Sequence, residues 1–184
     1  MRVERKMKKL IGSIVLAAMV AVAPTAFGWD PREADELDAK AQEALAAFKE
    51  KDPSIQRFID EGAGYVVIPT VGKGGLGIGG ARGKGVLYED GKVTGIVTLT
   101  QLTIGFQWGG QAYSEFIFFE NAASLDHFKQ GNYELGAQAS AVAVTAGASA
   151  DVNYSSGVAV FTQAKGGLMY EASVGGQKFK FEAK

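Results

Sequence analysis

Cysteine is absent from the 184 residues, and histidine occurs only once. Without cysteine the chain can be neither an N-terminally acylated lipoprotein nor a disulfide-stapled module, so a packed core must hold it together. One histidine, His127, and no thiol remove the donor sets that zinc sites and thiol catalysis require. His127 falls in a short expected helix, as a surface or partly packed residue. No catalytic residue, metal or cofactor is expected, and the chain does not read as an enzyme.

A long hydrophobic run is missing too. The apolar stretch from Leu10 to Ala23 is shorter than the roughly 20 residues of a membrane span. It follows Arg2, Arg5, Lys6, Lys8 and Lys9 and precedes Ala26-Phe27-Gly28, the layout of a secretory signal. Residues 1–28 are therefore expected to be a signal peptide removed before Trp29, which makes the protein exported and periplasmic or periplasm-facing. Residues 29–184 then form one domain large enough for a continuous core.

Positive charge is scarce in that domain. Removing residues 1–28 takes five of 19 Lys and Arg but one of 20 Asp and Glu, leaving a net charge of −5. Nucleic acid is excluded as a partner on this balance. The excess lies in residues 29–61, with ten acids and five bases.

What the chain has in quantity is glycine, 25 residues of it. Before the glycines begin, Asp30-Pro31-Arg32-Glu33 predicts a capped helix start, with Glu33 reaching back as in a capping box. Ala34, Leu37, Ala41, Ala44, Leu45 and Phe48 follow at helical spacing. Asp52-Pro53 restarts the signal and Gly62 stops it, so residues 29–61 form a helical segment. From residue 62 onward, short apolar runs broken by glycine predict a β core. Strands are expected at Tyr65–Ile68, Gly77–Glu89, Val93–Leu99, Leu102–Trp108, Gln111–Glu120, Val158–Gln163, Leu168–Val174 and Lys178–Glu182. Asp90-Gly91 predicts a hairpin. A change of apolar parity between Leu99 and Leu102 predicts a turn or bulge near Thr100-Gln101. A short helix is expected from Ala122 to Gln130 behind an Asn121 cap, and alternating alanines at 137, 139, 141 and 143 predict a strand with one small-residue face. The expected fold class is α+β, mainly antiparallel β of barrel-like or sandwich form, with two N-terminal helices, one inserted short helix, and the helices on one side.

The stretch "VGKGGLGIGGARGKG", residues 71–85, contains G-x-G-x-x-G twice. A dinucleotide site needs a helix directly after the loop, and here four of the eight residues 78–85 are glycine and strand pattern resumes at Val86. A P-loop fails because Ile78 stands where its first glycine belongs. Two readings remain for Gly72, Gly74, Gly75, Gly77, Gly79 and Gly80. In one, Gly77 and Gly79 bare a strand face for close packing. In the other, the glycine amides form a nest and Lys73, Arg82 and Lys84 supply charge for a lipid headgroup or another anion. Glu115, beside Phe116-Ile117-Phe118-Phe119, is a candidate for a perturbed carboxylate, but a lone acid at a strand edge is ordinarily solvated or bonded to a loop.

The segments "AGYVVIPTVGKGGLGIGGARGKGVL", "GFQWGGQAYSEFIFFENAASLDHFKQGNYELGAQASAVA" and "GVAVFTQAKGGLMYEASVGG" occur in order across residues 62–176. In them the chain resembles the SYLF family of lipid-binding domains, also called the Ysc84 or actin-binding family. The resemblance implies a phospholipid-binding domain whose eukaryotic relatives bind phosphoinositides and actin. The export signal here looks bacterial, so an envelope phospholipid is the expected partner and actin is not. A helix that binds anionic lipid should be basic, whereas residues 29–61 are acidic. The expected contact therefore moves to the glycine-rich sheet and its loops, at Lys73, Arg82, Lys84 and Lys165. An envelope assembly protein and a small outer-membrane β-barrel are the alternatives; the two leading helices and the charged end "KFKFEAK" stand against the barrel.

Overall fold

The computed structural model describes residues 29–105, 111–137, 139–166 and 174–184, with backbone alone at 75–78, 103–105 and 111. The expected signal segment, the end of Leu102–Trp108 and nearly all of Leu168–Val174 lie outside the described residues.

The first helix, Pro31–Lys51 (α1), starts where the sequence places it. The Asp30 carboxylate accepts the Arg32 amide at 2.9 Å, and Pro31 occupies a position whose amide has no helical partner to lose. No capping box forms at Glu33, which instead pairs with Lys84 Nζ at 2.5 Å. Ala34, Ala41, Ala44, Leu45 and Phe48 form the buried stripe. Asp52 ends α1 and caps the 3₁₀ turn Pro53–Ile55 that leads into Gln56–Glu61 (α2). Its buried carboxylate accepts the amides of Ser54 and Ser149 and the Ser54 hydroxyl, tying the helix junction to the loop at 145–152. Burial pulls its pKa up, but these hydrogen bonds outweigh burial and hold it below the usual carboxylate value.

The described residues then form Gly64–Glu89 (β1), Lys92–Gly105 (β2), Gln111–Phe119 (β3), Ala122–Lys129 (α3), Tyr133–Glu134 (β4), Val142–Ala143 (β5), Val158–Ala164 (β6) and Lys178–Ala183 (β7). The strands lie in the order β4-β7-β2-β1-β3-β6-β5, and β5 beside β6 is the parallel pair. The fold is α+β, a mostly antiparallel sheet that curls into a half-barrel. One face packs Phe48, Ile55 and Phe58 of the helical segment on Val67, Phe116, Phe118 and Phe161. The other encloses Val66, Ile68, Leu87, Val97, Leu99, Ile117, Phe119 and Phe179, with Leu125 and Phe128 of α3. The helices are thus divided between the two faces, not gathered on one side.

The 26-residue β1 decides this shape. Its pairing with β2 runs from Glu89↔Lys92, across the Asp90-Gly91 turn, to Gly77↔Gly105. Pairing resumes with β3 at Lys73↔Gln111 and runs to Gly64↔Phe119. β1 thus carries β2 along its later half and β3 along its earlier half. It is folded in half. Gly64 lies against the Tyr88 carbonyl, Gly85 against the backbone of Val67 and Ile68, and Gly83 against the Thr70 carbonyl, so later residues of β1 meet progressively earlier ones. The glycine-rich stretch is the fold line.

Three expectations are corrected here. Tyr65–Ile68 and Gly77–Glu89 belong to one continuous strand. No turn or bulge occurs at Thr100-Gln101; β2 runs through it in register, and the irregularities fall between Leu87 and Tyr88 and between Ile68 and Val71. The parity change has another cause: Val97, Leu99 and Gln101 face the core, while Leu102 stands on the opposite face, 87% exposed. The alanine alternation yields strand only at Val142–Ala143, because alanine has little intrinsic preference for a sheet and glycine residues flank the run.

A β-carbon at position 85 would sit 2.1 Å from the Val67 carbonyl oxygen, whereas one at position 72 would meet nothing within 4 Å. Gly85→Ala is therefore expected to destabilise the domain by about 3 kcal/mol or more and Gly72→Ala by much less, as read from thermal melts of the two variants.

Candidate functional site

The fold line of β1 collects the cations that the sequence singled out. Lys73 is opposite Gln111, and the Lys165 amide bonds the carbonyl of the adjacent Ala112 at 2.9 Å. On the returning half of β1, Arg82 is opposite Thr100 and two residues from Gly80, whose partner is the exposed Leu102. Lys73, Arg82, Lys165 and Leu102 thus lie toward one end of the sheet. The other end carries Glu61, Glu89, Asp90 and Glu120, with Lys92 opposite Glu89 and Lys129 bonded to Glu89 at 2.9 and 3.0 Å.

Two of the cations are engaged locally. Lys84 holds Glu33, with both side chains about two-fifths exposed. Lys165 Nζ donates to Thr70 Oγ1 at 2.9 Å, at the rim of an open groove of about 260 Å³ that Lys40, Glu43, Ser114 and Gln163 also line. Gly72 and Gly74 border open space, and Gly80 touches the Gln101 carbonyl. Gly72, Gly74 and Gly80 are extended, with no left-handed φ among them. A nest needs alternating helical-sense dihedrals, so an anion near these three glycines would be met by side chains, not by a cradle of amides. Side-chain surroundings of Gly75 and Gly77 lie outside the description. Close packing falls instead to Gly64, Gly83 and Gly85.

Two further cations lie across β2 from Arg82 and Lys84, and the sequence reading passed over them. Lys178 of β7 is opposite Thr100, and Lys180 is opposite Thr98. Their signal was present in "KFKFEAK", where lysine alternates with phenylalanine: Phe179 is buried and both lysines are exposed. The register that sets them beside Arg82 and Lys84 spans almost a hundred residues and cannot be read from one strand.

Glu115 is not at a strand edge. It lies in β3, between β1 and β6, and is fully buried on the core face that carries Ile117 and Phe119. Gln177 Nε2 donates to its Oε2 at 2.9 Å and reaches the Tyr113 hydroxyl at 3.3 Å. Burial pushes its pKa up to about 8, against the opposing hydrogen bonds from Gln177 and Tyr113. Its Oε1, Gln177 Oε1 and the hydroxyl of cross-strand Thr162 have no hydrogen-bond partner among the described residues. With its pKa raised to about 8, the group is mostly protonated at neutral pH. Among the described residues no cluster of His, Asp or Glu could hold a metal ion.

Unfolded, the Glu115 carboxyl loses its proton near 4.5; folded, it keeps it up to about 8. The folded state binds the extra proton between those values, so this contribution to stability is complete below pH 4.5 and is lost as pH rises toward 8. Glu115→Gln is expected to flatten that decline, measured as denaturant midpoints at pH 5 and pH 8; an unchanged decline would contradict the assignment.

Comparison with known proteins bears on this geometry. A family model described as Ysc84, the Las17-binding protein actin regulator, matches residues 100–184. The chain is also 27% identical over 157 residues to Beta cell expansion factor A of Aeromonas veronii, a match covering 82% of this chain and 59% of that protein. The chain spans less than two-thirds of that relative's length. The matched residues include β3, β6, β7, the buried Glu115 and the lysines of β7, and over residues 100–184 the chain is similar to the Ysc84 (SYLF) family.

Proposed function

We propose that the chain is an exported, non-enzymatic domain that binds phospholipid at a membrane surface of the cell envelope, on its periplasmic side. The observation that carries the reading is the gathering of Lys73, Arg82 and Lys165 at one end of the sheet with the exposed Leu102 beside them. Cations next to an uncovered apolar side chain match an interface where phosphates meet hydrocarbon. Acidic groups occupy the opposite end, so the domain has an electrostatic direction in which to approach an anionic surface. The secretory layout of residues 1–28 supports an envelope location, and the similarity of residues 100–184 to the Ysc84 family supports the lipid-binding role that the resemblance implies. Among the described residues no helix is long and apolar enough to cross a membrane, so attachment through these helices would be peripheral.

The reading is tested by co-sedimentation of the protein with vesicles at low salt. Pelleting with phosphatidylglycerol vesicles is expected to exceed pelleting with phosphatidylcholine and to fall as salt rises; equal, negligible pelleting with both contradicts it. Changing Lys73, Arg82 and Lys84 together to Ala is expected to weaken pelleting at least tenfold, at about 1 kcal/mol per cation near an anionic surface, while leaving the melting temperature within a few degrees of the parent.

A further inference from the structure

We propose that residues 135–137 and 174–177 form a flap across the concave core of the half-barrel, shut while Glu115 carries a proton and released when its carboxyl ionises. The flap lies on the concave side of the sheet, and its action does not depend on lipid. It continues the β4–β7 ladder beyond the strands: the Leu135 amide donates to the Gln177 carbonyl at 3.0 Å, and the Gly176 amide to the Leu135 carbonyl at 2.9 Å. Gly176 takes a left-handed φ of 74°, which turns the chain there. From that turn the flap bridges two strands. Gln101 Nε2 of β2 donates to the Gly175 carbonyl at 2.9 Å, while Gln177 Nε2 donates to Glu115 Oε2 of β3 at 2.9 Å and to the Tyr113 hydroxyl at 3.3 Å. β1 lies between β2 and β3, so these side chains fasten the flap on both sides of the curl.

Leu135 and Val174 anchor the flap by burial in the concave core. Its backbone bonds named above are internal, and its bonds to the sheet come from side chains, so it can lift without breaking a strand pairing. Glu115 is the catch. Ile68 of β1 and Thr162 of β6 stand opposite it, and Gln177 of the flap bonds it. Leu99 of β2, Phe179 of β7 and Phe128 of α3 complete the core on this side. Among these residues and Tyr113 none is cationic, and Tyr113 is the titratable neighbour. Burial, with the Glu115 charge added, pushes the Tyr113 hydroxyl further up, so it stays protonated while Glu115 titrates.

An ionised Glu115 in these surroundings has no counter-charge and must be hydrated. Water can reach it through unfolding of the whole sheet or through lifting of the flap, and the flap is the smaller change because the strand ladders survive it. Under the closed flap the carboxyl keeps its proton up to about 8; opened to water it loses it near 4.5. The closed form therefore binds the extra proton between those values, and opening gains roughly tenfold per pH unit as pH rises through them.

Native-state hydrogen exchange on the intact protein tests this, read at the Leu135 and Gly176 amides after correction for the intrinsic effect of pH on exchange. Opening of these amides is expected to rise roughly 30-fold between pH 6 and pH 7.5, and at each pH to exceed the opening of the β3 amides. The Leu125 amide, bonded to the Asn121 carbonyl in the first turn of α3, can fray without wetting Glu115 and is expected to change by less than about twofold. In Glu115→Gln the flap amides are expected to lose their pH dependence. The parent profile decides by itself if that variant does not fold. A flat parent profile overturns the proposal, and so does a rise in which flap and β3 amides open equally at every pH, because the domain would then open only as a whole. A rise that persists in Glu115→Gln belongs to another group and also overturns it.

Discussion

The contact of Gly83 and Gly85 with the backbone of Val67, Ile68 and Thr70 underlies the rest of the molecule. A strand of 26 residues, β1, cannot remain extended in a domain of this size; it has to fold over. Folding it in half places β1 against itself, and at that crossing any side chain would collide with main chain. Once the halves lie together, β2 and β3 are held on either side of β1, β7 is added outside β2, and β6 outside β3. The half-barrel, the concave core and the location of every cation discussed above follow from that closure.

The same closure leaves the sheet unevenly covered. The helical segment supplies Phe48, Ile55 and Phe58, enough to shield β1, β3 and β6, and α3 closes the concave core near β3 and β7. The convex side of β2 and β7 meets α1 at Val93 and is exposed at Thr100, Leu102, Lys178 and Lys180. It is furnished with threonine and lysine where the covered portion has phenylalanine and valine, and it carries the exposed Leu102 at its margin. Inside the curl, Glu115 is the other departure from an apolar plan. A proton held by burial reconciles it with the hydrophobic surroundings, and Gln177 and Tyr113 satisfy part of its hydrogen bonding.

Much of the local structure was legible in the sequence. Asp30-Pro31, Asp52-Pro53 and Asn121 act as helix starts because short polar side chains satisfy exposed amides next to them. Asp90-Gly91 makes the hairpin because both residues take left-handed φ, 49° and 72°. What was not legible was pairing between distant segments. The apolar switch between Leu99 and Leu102 looked like a break in a strand, when it marks two faces of an unbroken one. Glu33 had a familiar capping pattern, yet its carboxylate is taken by Lys84, 51 residues away. Lys178 and Lys180 drew no notice because their neighbours Thr98 and Thr100 come from another part of the chain, and Glu115 looked like an edge residue because nothing local shows that β6 covers it.

The absence of cysteine makes the central claim open to direct measurement, since one introduced cysteine gives one unique label. Spin labels placed in turn at positions 102 and 50 report depth through accessibility to oxygen and to a water-borne relaxant. With anionic vesicles, the label at 102 is predicted to move from water into the bilayer while the label at 50, on the exposed side of α1, stays in water. A label at 50 that enters the bilayer while the label at 102 remains in water would contradict the account, because the membrane would then meet the acidic helix and not the open sheet.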